Sequence, residues 1–342
     1  MKKMLSLRHK KKKDMAKKVN LKKPEKSLTE NDLGVYINLL TDFGFKRIFG
    51  IKEVLLKFLN TVLDVDGGIK DLQYFNTEKL GFSQYERKAV YDLYCVSGKD
   101  KHIIVEIQCA PQLYFIERTV LYISRLINSQ SVKGKDWNFE LPKIYSLNIL
   151  DFTFEEAMLP LDKEVKRTEE TKFVSKVQLL DCETKEVFYD KLTFIYIELP
   201  RFTKELNDLK TFFEQWIYII KHLHELEELP SNFRKEKIFK SLFETAKIAR
   251  MNKKEVNNYL KDLNNMNIVR NEIRSRDKII AMHAKTITKH VKTIAQHVNI
   301  IAQKDNALAQ HVNALAQKNS ALLALQRQVD DYKKKFGAIN GI

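Results

Sequence analysis

Tyr91-Asp92-Leu93-Tyr94-Cys95-Val96-Ser97-Gly98-Lys99-Asp100-Lys101-His102-Ile103-Ile104-Val105-Glu106-Ile107-Gln108 reads as two strand-like runs around a turn at 97–101. In an antiparallel hairpin, a loop centred on Lys99 sets Asp92 opposite Glu106, with Cβ atoms about 4.5–5.5 Å apart on one face. Glu106 and Gln108 point the same way, whereas Ile103, Val105 and Ile107 point to the face that packs against helices. One face therefore collects two carboxylates and an amide. Facing carboxylates repel unless a cation sits between them, and a divalent ion with oxygen ligands, Mg²⁺, is the natural occupant. Such an ion polarises a phosphodiester and activates a water for in-line attack. A slip of one residue would separate the two acids, and the same residues also suit a solvent-exposed hairpin with scattered polar groups.

Outward from the hairpin, the pattern alternates. Residues 41–63 suit a helical stretch interrupted near Gly50 and opened by Thr41 as N-cap. Strands are expected at 72–75, 87–95 and 102–108, a helix at 113–129, and a strand at 144–150. This order argues for an α/β layer with helices packed on a central sheet. Two further strands, at 176–180 and 192–199, precede an all-α region with helices at 206–223, 235–249 and 254–263. On the helix after the hairpin, Arg118, Tyr122 and Arg125 share a face that can neutralise a phosphate. On the first helix, Asp42 and Lys46 form an i, i+4 pair, which by itself suits an ordinary surface ion pair.

The C-terminal segment repeats. Ile280, Ile287, Ile294, Ile301, Leu308, Leu315, Leu322 and Val329 recur every seven residues, followed four residues later by Ala284, Val291, Val298 and Val312. The two sets fit the d and a lines of a left-handed coiled coil, with Asp305 and Asn319 as polar exceptions on the a line. Such a stripe needs a partner, either a second copy of the helix or the chain's own globular part. His283, His290, His297 and His311 follow the same heptad, with neighbours seven apart spaced about 10.5 Å along a helix, too far to share a metal ion.

Among the 342 residues, 44% are hydrophobic and 30% charged, which fits a folded protein. No apolar run reaches the roughly 20 residues of a membrane span. Lys and Arg exceed Asp and Glu by 16, which suggests a polyanionic partner. The excess is concentrated in residues 1–26, with twelve Lys or Arg against Asp14 and Glu25. That stretch lacks the apolar core of a signal peptide and reads as a disordered arm, its run Lys10, Lys11, Lys12 and Lys13 suited to DNA phosphates. It suits a solvated tail without a partner equally well. Cys95, Cys109 and Cys182 make neither a disulfide framework nor a zinc spacing, consistent with a cytoplasmic protein.

The run Asp42-Phe43-Gly44-Phe45-Lys46-Arg47-Ile48-Phe49-Gly50 resembles the DxxFKxIFG opening of the PD-(D/E)XK nuclease family transposases, of the recombination-promoting nuclease type. The resemblance continues through Asp92, the Glu106-x-Gln108 pair, Arg118 and Tyr122, and the stretches 142–149 and 197–202. It covers about residues 35–205, with helical remnants to about 260. It implies a restriction-endonuclease-like core, a mixed sheet flanked by helices, and Mg²⁺-dependent cleavage of DNA. Asp92 and Glu106 would be the metal ligands, and Gln108 would stand where the wider superfamily has lysine. Asp42 and Lys46 match the opening motif without a fixed role. The expected organisation is a basic arm (1–34), a nuclease-like domain (35–205), a helical region (206–270) and a coiled coil (271–336) that makes a homo-oligomer. The alternative is a nuclease-fold protein of weak or absent activity that binds nucleic acid or assembles through its coil.

Overall fold

The computed structural model describes residues 27–63, 65, 67–75, 78–79, 89–90, 92–98, 101–130, 138–157 and 172–337. Lys10 to Lys13 lie outside them. The chain divides into two units, Met1–Arg270 and Asn271–Ile342.

The first unit opens with two short helices where the sequence expects one interrupted stretch: α1 (Asp42–Phe49) and α2 (Lys52–Val62). Thr41 caps α1, its hydroxyl accepting the Gly44 N–H at 3.0 Å. Gly44 is required by close approach, because a Cβ there would lie 2.1 Å from the Asn38 carbonyl oxygen.

Among the described residues the central sheet has six strands. They are β1 (Gln73–Tyr74), β4 (Leu93–Ser97), β5 (Lys101–Gln108), β6 (Ile144–Leu150), β8 (Val187–Glu198) and β7 (Val174–Leu180), in that spatial order. The pairs β5–β6 and β6–β8 are parallel and the outer pairs antiparallel, so the sheet is mixed. A separate two-stranded ribbon, β2 (Glu78–Lys79) with β3 (Ala89–Val90), takes up part of the stretch that the sequence reading joins into one strand. A bend at Asp92 follows β3.

Strand β6 is buried throughout, as befits a strand covered on both faces. On one face Ile103, Val105 and Ile107 join Leu147, Ile149 and Ile197 against α1, α2, α5 (Phe212–His222) and α6 (Lys237–Ala246). Tilted aromatic pairs fill that layer, with Phe49 5.0 Å from Phe58 and Phe58 5.4 Å from Trp216. The opposite face is also covered. Tyr94, Ile104, Ile144 and Tyr196 pack there with Phe115, Ile123 and Leu126 of α3 (Phe115–Ser129) and with Phe154 of the short helix α4 (Phe154–Ala157). This is the face that carries Glu106, so the acid face of the hairpin is roofed by a helix.

The last helix corrects the sequence reading. A helix ending at Leu263 and a coil beginning at residue 271 are one element, α7 (Lys253–Phe336), because the stretch between contains neither proline nor glycine. Gly337, at φ +74°, follows its last turn. In the second unit the heptad stripe is exposed, with Ile287 at 62% and Leu322 at 70%. Among the described residues no helix is long and apolar enough to cross a membrane.

Candidate active site

β4 and β5 pair with Leu93 facing Val105, Tyr94 facing Ile104 and Ser97 facing Lys101. One residue further, this register sets Asp92 opposite Glu106, as a loop centred on Lys99 requires. The ladder stops at Leu93, and Asp92 bends out of the strand. Two hydrogen bonds tie the ends together. The Asp92 N–H donates to Glu106 Oε1 at 3.3 Å, and the Ile107 N–H donates to Asp92 Oδ2 at 2.7 Å.

Glu106 is 4% exposed. Burial first, and the neighbouring Asp92 charge second, push its carboxyl up to about 8, against the opposing pull of Arg118 and of hydrogen bonds from the Asp92 backbone and the Gln108 side chain. Asp92 is raised as well, chiefly by burial. The Ile107 N–H lowers it, Asp42 raises it, and Lys46 and Arg118 lower it. Asp92, Glu106, Gln108, Asp42, Lys46 and Arg118 therefore belong to one electrostatic neighbourhood, although Asp42 and Lys46 come from α1.

Arg118 reaches this neighbourhood from α3. Its Nη2 lies 3.8 Å from Glu106 Oε2. Its guanidinium stacks 5.0 Å over the Tyr122 ring, its Nε donates to the Tyr122 hydroxyl at 3.0 Å, and its Nη1 donates to Gln112 Oε1. Tyr122 thus orients the arginine. The helix is seated by Thr119, whose hydroxyl lies 2.8 Å from that of Tyr196 on β8. Tyr196, Asn148 and Glu106 stand in one row across the sheet.

On α1, Lys46 pairs with Asp42 at 2.7 Å. Burial alone would lower the Lys46 ammonium. The hydrogen bond and charge of Asp42, with Asp92 and Asp262, outweigh burial and hold it above its ordinary value. The pair opens onto a cleft of about 490 Å³ lined also by Arg47, Lys261 and Asp262. Asp262 accepts the Phe43 N–H at 2.9 Å.

Three of these residues escape the sequence reading. Asp262 lies 219 positions from its partner Phe43 and carries no local signal. Gln112 sits in an irregular turn before Tyr114, which takes a left-handed φ of 61°. Asn148 did leave a signal, as a polar residue inside the apolar run 144–150. It is fully buried and its Nδ2 bonds Ser146, while among the described residues its Oδ1 has no hydrogen-bond partner. The cysteines next to the site are packing groups: burial pushes the Cys95 thiol up to about 12 and the Cys109 thiol up to about 11.

The donor set fits a hard divalent cation. It offers oxygen only, and the repulsion between Asp92 and Glu106 is what a bridging cation relieves. Among the described residues no group of three or more His, Cys, Asp or Glu is arranged to hold a metal. A cation here would rest on two carboxylates and water, the coordination that Mg²⁺ favours.

No curated protein and no solved structure matches the chain. The model of one family, PD-(D/E)XK nuclease family transposase, matches residues 39–274, a span that holds α1, the hairpin, α3 and the whole sheet. With a mixed six-stranded sheet, flanking helices and that match, the chain belongs to the PD-(D/E)XK nuclease family transposases.

Proposed function

We propose that the protein is a Mg²⁺-dependent DNA endonuclease that promotes recombination or transposition and works as a homo-oligomer joined through residues 271–336. The observation that carries this reading is the Asp92–Glu106 juxtaposition at the open end of the β4–β5 ladder, with Arg118 beside it. When bound, Mg²⁺ supplies Lewis-acid activation of a phosphodiester and of a water. Asp92 and Glu106 would hold it, Glu106 in its deprotonated form with its proton released to water. Arg118, presented by Tyr122, binds a phosphate oxygen next to the two acids. Gln108 cannot act as a cation, but its amide orients Glu106 and can orient a water. Lys46 supplies the positive charge on the α1 side, exchanging Asp42 for substrate phosphate. Lys10, Lys11, Lys12 and Lys13 add non-specific contacts to the DNA backbone.

A second reading, a nuclease fold that binds nucleic acid without cutting it, is favoured by Gln108 at the lysine position. Nicking of supercoiled plasmid separates the two. The endonuclease reading predicts magnesium-dependent nicking that Asp92→Asn and Glu106→Gln each reduce by about 100-fold or more, the scale of a positioned catalytic group. DNA retention with no magnesium-dependent nicking establishes the second reading.

A further inference from the structure

In the second unit the d line runs from Ile280 to Val329 and is exposed along its length. The residues on either side of that seam are unequal. The e line is alanine-rich, with Ala281, Ala295, Ala302, Ala309 and Ala316 beside Thr288, Leu323 and Asp330. The g line holds His283, His290, His297, Lys304, His311 and Lys318, and ends in Leu325. Its two lysines fall directly before two of the three polar residues of the a line, as Lys304-Asp305 and Lys318-Asn319, whereas Gln326 follows Leu325. Where the a residue is apolar, at Ala284, Val291, Val298 and Val312, the preceding g residue is histidine.

We infer that this face takes a second copy of the same helix, parallel and in register, as a two-stranded coiled coil; the inference rests on the oligomeric reading above. In a parallel pair an a side chain enters a hole bounded by the partner's a residue and the g residue before it. Each Asp305 then meets the partner subunit's Lys304, which compensates an acid that would otherwise face only its own copy. Each Asn319 meets the partner subunit's Asn319, an amide pair that fixes register and favours two strands. The g line lies over the partner's alanine-rich e line, so its imidazoles and lysine stems cover small apolar side chains instead of facing other cations.

An antiparallel pair loses all three relations. Layers would then pair a with d, burying Asp305 and Asn319 against isoleucine or leucine, and g would face g, bringing Lys304 and Lys318 toward a like-charged line.

The test uses the full chain with Cys182→Ser, carrying either Ile287→Cys or Leu322→Cys. Mass in solution is read by light scattering and disulfide formation by non-reducing electrophoresis. The inference expects a mass of two chains and covalent dimers from each variant alone, since residue 322 faces its own copy. In a full antiparallel overlap the two copies of residue 322 would be about 50 Å apart at the helical rise. A two-chain mass with cross-links only in mixtures of the two variants, or with none, overturns the parallel register and leaves the oligomeric reading standing. A one-chain mass overturns both, and a mass of three or more chains overturns the two-stranded pairing.

Discussion

Asp92 and Glu106 are held by each other's strands: the Asp92 N–H reaches Glu106 Oε1, and the Asp92 carboxylate in turn takes the N–H of Ile107, the residue after Glu106. The hairpin thereby fixes two acids as neighbours in a place where burial disfavours their charge. Such a pair destabilises the fold when both groups are charged.

That has a consequence for stability against pH. The Glu106 carboxyl titrates near 8 in the folded chain and near its ordinary 4.5 when unfolded. Between these values the folded state binds a proton that the unfolded state has lost, so stability must fall as pH rises from about 4.5 to about 8. Asp92, raised in the same direction, adds to the slope. Melting temperatures of the metal-free protein across this window should fall, and Glu106→Gln should flatten the decline.

Cation affinity should move the opposite way. A divalent ion competes with the Glu106 proton, so its binding should tighten with each pH step up to about 8 and level off above it. Removing the amide that hydrogen-bonds Glu106, as Gln108→Ala, should weaken binding by about 10-fold, the scale of a lost outer partner. Calorimetric titration with Mg²⁺ or Mn²⁺ at several pH values measures both effects.

Arg118→Ala should act on substrate binding and on the cation site together. It removes the guanidinium 3.8 Å from Glu106, which should raise the Glu106 carboxyl further and cut nicking by about 100-fold. Tyr122→Phe keeps the ring beneath the guanidinium and loses only the 3.0 Å bond to its hydroxyl, so nicking should fall by less than about 10-fold. No loss from Tyr122→Phe would contradict the orienting role of the tyrosine hydroxyl.

Gly44→Ala tests how α1 is seated. Its new Cβ would lie 2.1 Å from the Asn38 carbonyl, so the helix must shift, at a cost of about 1–3 kcal/mol. Because Asp42 and Lys46 ride on that helix, nicking should fall by more than the loss of folded protein explains. Thr41→Ala, which removes the cap and leaves the space unchanged, should cost about 1 kcal/mol with little further effect on nicking. Chemical denaturation alongside nicking rates distinguishes the two.

Elements with a strong local pattern were legible in the chain itself. The break at Gly50, the strand at 144–150 and the hairpin register all follow from cap, hydrophobic and turn chemistry that acts over a few residues. The continuity of α7 was missed because two different patterns, a half-buried helix and an exposed heptad, share one backbone that nothing interrupts. At the site, Asp92, Glu106 and Gln108 were readable because strand alternation and register relate them. The contacts of α1 with Asp262 and of Thr119 with Tyr196 were not, since each joins segments far apart whose meeting is decided only by packing. Asn148 shows the middle case: its polarity was visible in an apolar strand, but that its carbonyl oxygen has no hydrogen-bond partner among the described residues needed the fold.

The proposed endonuclease chemistry needs one cation held jointly by two carboxylates, and crystals grown with Mn²⁺ test it most directly. It predicts an anomalous peak within about 2.0–2.6 Å of an oxygen of both Asp92 and Glu106, absent from crystals of Asp92→Asn. Crystals soaked at saturating Mn²⁺ with no peak between those two side chains, in a protein that still nicks DNA, would contradict it.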